Sequence, residues 1–400
     1  MPSSKINLTG GWTIAVAVVL AVAVAAVAVS RVDLSGDTGS GLPQRFDYSL
    51  ETFKTVDPSL ILYRQAGELP LEMSAARAVA VGPEDRIYVV GDQKVVVYNA
   101  DGTKHAEIIL EESPRCLAVG GAEHDPPGRI LVGMRDHVEV YAPDGKRQAV
   151  WERLGEKAVL TSIAVADAAG EPDVFVADAG NRIVLRYDSS GKRLAEIGRL
   201  DREQRIRGFI IPSPYFDVAV TPDGLLRAVN PGMHRIEAYT FDGHFEEPLA
   251  WGKAALAVEG FCGCCNPANM AVLPGGGYVT GEKGIPRVKV YGADGAFVGV
   301  VAGPDLLAPT MTITEETRED HELAVVDVAA DSRGRVLVLD PAARKVRIFE
   351  RRDAVQEGVG SLFLYRPETA SDVPSRGEAD TEKDSRPPRP QPAHTTETKS

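Results

Sequence analysis

Equipment for gripping nucleic acid is the first thing this sequence lacks. Its 400 residues carry 44 Lys and Arg against 57 Asp and Glu, a formal charge of -13 at pH 7. A polyanionic partner needs a basic footprint, so nucleic acid is excluded as a ligand. Also missing are a Gly-x-Ser-x-Gly elbow, a phosphate-binding loop and a His-Glu-x-x-His segment, which removes three common catalytic or nucleotide-binding designs. Cysteine is scarce: there are four, and three fall within four residues, in Gly260-Phe261-Cys262-Gly263-Cys264-Cys265-Asn266-Pro267. That spacing is neither the doubled CxxC of a zinc ribbon nor the CxxCH of haem attachment.

Hydrophobic residues at 44% and charged residues at 25% are ordinary for a globular chain. The two ends differ from the middle. Residues 12–29 read WTIAVAVVLAVAVAAVAV, and at ~1.5 Å per residue such a helix spans roughly 27 Å, about the thickness of the hydrocarbon core of a bilayer. The Ala-rich end would suit a signal peptidase, but the length favours an uncleaved anchor. Lys5 before the span, with Asp33 and Asp37 offsetting Arg31 after it, puts the bulk of the chain outside the cytoplasm. No twin-arginine pair precedes the span, which disfavours export of an already folded, cofactor-loaded protein. The reading is therefore a short cytoplasmic segment (1–11), a transmembrane or signal anchor (12–30) and a linker (31–57). At the other end, 353–366 holds a closing or extra strand. Residues 367–400 are Pro, Ser, Thr, Glu and Lys with almost nothing apolar, too little to offset ordering entropy, and are expected to be disordered.

Between the ends the chain repeats itself. An aromatic residue closing a β-branched run recurs at Tyr98, Tyr141, Tyr187, Tyr239 and Tyr291, most often just before an Asp-Gly turn, with a degenerate sixth copy at Phe349. The intervals are 43, 46, 52, 52 and 58 residues, as in propeller blades with loops of variable length. Each unit opens on a small apolar strand, such as Ala78-Val79-Ala80-Val81 or Cys116-Leu117-Ala118-Val119, and continues through three more short strands. No segment of helical period and length competes. The expected fold over 58–352 is all-β, a six-bladed β-propeller with four-stranded antiparallel blades. Residues 60–65 (LILYRQ) are placed as the outer strand of the last blade, removing an open edge; 362–365 (LFLY) is the rival.

Asp178-Ala179-Gly180-Asn181-Arg182-Ile183 resembles the Asp-x-x-Asn-x-[Arg/Lys]-Ile signature of NHL repeats. Residues 230–236 (NPGMHRI) and 340–346 (DPAARKV) are looser copies. Resemblance to NHL-type propellers implies the same six-bladed ring. That family includes protein-binding and RNA-binding modules and an amidating lyase, so it does not choose a function.

Aligning the six units gives one residue per blade that opens the inner strand at the channel mouth: Ala78, Cys116, Ser162, Asp217, Asn269 and Asp327. The GFCGCC loop leads into the strand at Asn269, so all four thiols, Cys116, Cys262, Cys264 and Cys265, are expected near one axial point. Adjacent cysteines bridge poorly, since their Cα atoms lie about 3.8 Å apart. A soft-metal thiolate site is therefore expected, copper or zinc ahead of an iron–sulfur cluster, with redox chemistry as the other use. Asp217, Asn269 and Asp327 form the alternative, an oxygen site for a divalent ion such as Ca²⁺. They resemble the channel-mouth Ca²⁺ site of six-bladed lactonases and would make the chain a hydrolase or lyase. Lys94, His137, Arg182, Arg235, Arg287 and Lys345 align in the second-to-third strand connections as a basic collar, for an anion or for structural pairing with carboxylates. The functional expectation is a membrane-tethered binding or scaffold module with a protein partner and a thiol-rich site at the channel mouth.

Overall fold

The computed structural model describes residues 55–124, 126–166, 173–200, 208–263, 265–309 and 325–352. All fall in the first of two compact units, 1–357; the second is 358–400. The expected anchor, most of the linker, the 353–366 strand, the tail and Cys264 lie outside the described residues.

Six antiparallel sheets follow one another along the chain. Their inner strands are Ala76–Val81, Cys116–Val119, Leu160–Ala166, Val218–Val220, Asn269–Val272 and Asp327–Ala330. Each touches the next, and the first touches the last, which closes a ring of six blades. Short Val-, Ile- and Tyr-rich runs separated by Asp-Gly turns favour this arrangement because a blade is a meander whose consecutive strands pair.

The last blade is completed by the start of the fold. Tyr63–Pro70 pairs with Lys345–Arg351, from Tyr63 opposite Arg351 to Pro70 opposite Lys345. The outer-strand role assigned to the early segment from its sequence is therefore what the chain adopts. Blade 4 departs from the expected pattern: its ladder has three strands, and the fourth position is marked only by bridges of Tyr239 to Phe245 and of Ile236 to Trp251. Between these bridges lies the turn Glu247–Leu249, with Pro248 inside it. A proline has no N–H to give to a ladder.

The hydrophobic core is divided among the blade interfaces. Each of six clusters draws on two neighbouring blades; one joins Leu131, Val140 and Trp151 of blade 2 to Ile163, Val176 and Leu185 of blade 3. Inner and middle strands lie between neighbouring blades and are buried almost throughout, as in Ile87–Gly91 and Val138–Tyr141, whereas the outer strands Lys104–Ile109, Arg147–Val150 and Arg193–Ile197 are mostly exposed. Among the described residues no helix is long and apolar enough to cross a membrane.

Candidate functional site

The axis is hollow for a reason visible in the sequence. Two residues beyond each strand-opening position stands an alanine: Ala80, Ala118, Ala164, Ala219, Ala271 and Ala329. Strand alternation sends residues i and i+2 to the same side, and methyl groups leave the centre unfilled. A cavity of about 270 Å³ results, lined by Ala78, Cys116, Ser162, Asp217, Asn269 and Asp327 and by five of those six alanines. The aligned ring does line the channel.

Its polar members are tied to neighbouring blades. Asp217 accepts hydrogen bonds from Ser162 Oγ on blade 3 (2.5 Å), from Val218 N–H (2.8 Å) and from Met270 N–H on blade 5 (2.5 Å). Asp327 on blade 6 accepts from Val79 N–H on blade 1 (2.8 Å) and from Val328 N–H (2.9 Å). Asn269 Nδ2 donates to the Val326 carbonyl of blade 6 at 2.8 Å. The carboxylates thus serve as a belt where the inner strands crowd together. Burial pushes Asp217 up to about 6, against the pull of its three donors. Burial, and then the negative charge of Asp217, push Asp327 up to about 7. Both carboxyls therefore titrate close to neutrality.

A second hollow of about 250 Å³ shares Arg77, Arg115, Thr161, Asn269 and Asp327 with the first and adds Ser74, Pro214, Tyr215 and Phe216. Arg77 and Arg115 stand one residue before the ring positions of blades 1 and 2. The mouth is therefore cationic on that side and carboxylate-bearing on the side of blades 4 to 6. Tyr215 forms one wall, with the Lys283 ammonium 4.7 Å from its ring centroid and 2.9 Å from Ser213 Oγ.

Cys116 lines the axial cavity, but Cys262 and Cys265 line neither hollow, and Cys264 lies outside the described residues. Cys116 belongs to blade 2, where its sulfur points toward Gly133 and Ile163; burial, and the nearby Asp217 and Asp327 charges, push its thiol up against Arg115 and a hydrogen bond from Gly133 N–H. Cys262 and Cys265 precede blade 5, on the opposite side of a six-membered ring. Phe261 packs on Trp251 and Tyr291 in the cluster between blades 4 and 5 and anchors their loop there. Among the described residues no group of three or more His, Cys, Asp or Glu is placed to hold a metal ion, so Cys116, Cys262 and Cys265 do not form one. Both oxygens of Asp217 and of Asp327 accept hydrogen bonds within the belt, so a cation at either would share those oxygens with protein donors.

The collar also resolves into pairs. Lys94 lies 3.7 Å from Glu107, Lys345 2.8 Å from Glu68, and Arg287 2.6 Å from Glu282. Arg235 donates to Glu237 at 2.7 Å. His137 sits between Asp136 (2.8 Å) and Glu139 (3.6 Å), and Arg182 is exposed at a turn with φ +58°. None of the six lines the channel. Structural pairing, the second of the two uses expected from the sequence, accounts for five of the six, all but Arg182.

No family model matches this chain, and no curated protein matches it. Solved structures do. A gluconolactonase from Xanthomonas campestris is 15% identical, with 75% of this chain and 94% of that chain covered and a TM-score of 0.50. A catalytically inactive virginiamycin B lyase from Staphylococcus aureus is 12% identical, with coverage of 70% and 82% and a TM-score of 0.46. The shared property is the propeller. At these identities the likeness is one of fold, and membership of the NHL family is not shown.

Sequence reasoning passed over Arg77, Arg115 and Tyr215 at the mouth, and Glu282 and Lys289 beneath the cysteine loop. The signal for the last was present. Two residues before each closing aromatic stand Val96, Glu139, Leu185, Glu237, Lys289 and Arg347, and a lysine between two valines in a strand must either reach solvent or find a buried partner.

Proposed function

We propose that the propeller is a binding module whose ligand enters the axial mouth, carried outside the cytoplasm on the apolar segment 12–30. The observation that carries this reading is the two-part cavity, with Arg77 and Arg115 on blades 1 and 2 and Asp217, Asn269 and Asp327 on blades 4 to 6, Asp327 on the blade beside Arg77. A compact ligand with an anionic oxygen group for the arginines and a hydrogen-bond donor for the carboxyls matches that polarity. A free small molecule with these groups, or an acidic side chain on a protein partner, presents the same chemistry. The test is a thermal-shift and calorimetric screen of amino acids and hydroxy acids. Binding should weaken at least about tenfold in Arg115→Ala, the effect of one charge-assisted contact. Wild-type affinity in both Arg77→Ala and Arg115→Ala would refute the assignment.

A second reading makes the ring a divalent-ion site of a hydrolase or lyase. One observation favours it: the Asp217 charge raises Asp327, and a cation shared by the two would relieve that repulsion. Stabilisation by millimolar Ca²⁺ that disappears in Asp327→Asn, together with lactone or ester hydrolysis, would select this reading over simple binding.

A further inference from the structure

The two faces of the ring differ in what they show to solvent. Among the described residues eight large apolar side chains are exposed. Six of them stand at the face that carries the axial mouth. Inner strands begin there and the four strands of a blade alternate in direction, so outer strands end there. Ile109 and Val150 are the last residues of the outer strands Lys104–Ile109 and Arg147–Val150. Leu200, Ile210, Leu256 and Leu306 lie in the connections from blade 3 to 4, 4 to 5 and 5 to 6. Five of the six junctions between blades therefore project an apolar side chain. Of the other two, Leu249 is on the outer edge of blade 4, and only Leu194, second in the outer strand Arg193–Ile197, belongs to the opposite face. Single exposed leucines are ordinary. Sorting them onto one face is not, and it marks an interaction surface.

The chain enters the propeller on that same face. Gly303 follows the outer strand Phe297–Ala302 of blade 5, and a Cβ on it would lie 2.9 Å from the buried Val56 side chain. A Cβ on Gly299, further down that strand, would lie 2.6 Å from Leu62. From Val56 the chain thus descends past blade 5 to Tyr63, opposite Arg351, and climbs back as Tyr63–Pro70. The apolar run 12–29 is separated from Val56 by 26 residues, and a linker of that length reaches about 30 Å. A propeller hung from this side turns its mouth toward whatever holds the anchor.

Charges on the mouth face are mixed. Arg77, Lys157, Arg182 and Arg344 are exposed there, and so are Glu72, Glu152, Glu259 and Asp305. Neither sign prevails, so attraction falls to the apolar side chains, and a zwitterionic lipid surface suits them without anionic lipid. The geometry points to a lipid-docking face: the mouth side of the propeller rests on the bilayer that holds the anchor, with the six apolar side chains entering the headgroup layer. A contact too weak to form from free solution is sufficient here, because the linker makes it intramolecular. Arginine and lysine stems lie along the apolar surface with their charged heads in water. The junction between blades 6 and 1 carries no exposed apolar anchor, since Leu71 and Met73 are buried. It leaves a gap beside Arg77 through which a ligand reaches the axis along the membrane plane. The inference rests on the anchoring of segment 12–30 proposed above, and not on which ligand the mouth takes.

The test places the full chain in phosphatidylcholine nanodiscs, labels side chains with hydroxyl radicals and reads them by peptide mass spectrometry, against the same chain in amphipol. Labelling of Leu200, Ile210, Leu256 and Leu306 should fall about threefold in the discs, the result of docking about two-thirds of the molecules. Leu194, on the opposite face, should keep its amphipol value. The fall should survive about 0.5 M salt, where charge attraction is screened within a few ångströms. Leu256→Asp combined with Leu306→Asp, both at exposed sites, should restore labelling of Leu200 and Ile210 with the melting temperature unchanged. A chain that does not enter the discs refutes the anchor and this inference with it. A chain held in the discs but labelled as in amphipol, or protected equally at Leu194, overturns the docking and leaves the anchor standing. Protection that appears in amphipol and grows with protein concentration assigns the face to a second copy, and protection lost in salt assigns it to charge; either overturns the inference.

Discussion

Replacing Asp217 by asparagine separates the two things that a buried carboxylate does at the axis. The substitution keeps the side-chain size and one acceptor oxygen. It turns an NH₂ toward either Met270 N–H or the Ser162 and Val218 donors, all three of which Asp217 now satisfies. Loss of a charge-assisted hydrogen bond, with a buried N–H left over, costs about 1–3 kcal/mol. Against this stands the cost of ionising the buried acid. Its folded value of about 6 lies above the 3.8 of the model acid, so the folded state binds more protons than the unfolded state between these values. Stability from this group is therefore full below about pH 4 and falls as pH rises through 6. Between pH 4.5 and 7.5 the linkage relation gives a loss of about 2 kcal/mol in the wild type, which the asparagine variant does not suffer. Because Asp217 also raises Asp327, removing it lessens the ionisation cost there too, and the two effects share a sign. Urea unfolding of both proteins at pH 4.5, 6 and 7.5 measures the difference. The wild-type advantage should shrink by about 2 kcal/mol across the series and vanish or reverse at the top. A gap that stays constant, or widens toward pH 7.5, would refute the view that these carboxyls are held near neutrality by burial.

Two further outcomes follow from close packing and from the closure of the ring. A Cβ at Gly133 would lie 2.4 Å from the Cys116 sulfur, so Gly133→Ala should cost about 1–3 kcal/mol by overpacking; pairing it with Cys116→Ala in a urea-denaturation double-mutant cycle should recover most of that loss. A chain beginning at residue 72 loses the Tyr63–Pro70 ladder, the buried Tyr63 and Leu69, and the Lys345–Glu68 pair. It should melt well below the full chain and associate through the bared edge of Lys345–Arg351 in size-exclusion runs; an unchanged melting temperature would mean that the ring does not depend on its closing strand.

The architecture was legible because a repeat supplies its own controls. Six copies of one register fix which residue opens each inner strand, so Asp217, Asn269 and Asp327 could be assigned to the channel without knowing any contact. The same alternation hid the arginines. Arg77 stands one residue before Ala78 and should point away from the axis, but the register slips between Ala76 and Ala78, as it does between Leu160 and Ser162. A bulge breaks the two-residue period, and nothing in the sequence of blade 1 marks it. Cys262 and Cys265 were misplaced for another reason. Leading into the strand at Asn269 puts the loop on the correct face of blade 5, but not at the axis. Its radial position is set by Phe261, whose fit against Trp251 and Tyr291 is a tertiary contact.

The channel ring and the cysteine loop share a physical logic even though they do not share residues. In each, ionisable groups are buried where hydrogen bonds hold their shape but do not cancel their charge. Asp217 and Asp327 repel each other across a hollow of methyl groups; Lys289 and Arg287 compete for one Glu282 beneath Cys262. A propeller can carry this cost because its stability is spread over six separate interface clusters, so strain at the axis or in one blade leaves the others intact. Charge left unbalanced inside such a frame is then relieved when a ligand or a proton arrives. At the mouth, an anionic ligand group would meet Arg77 and Arg115 while its donor reached carboxyls already close to losing their protons.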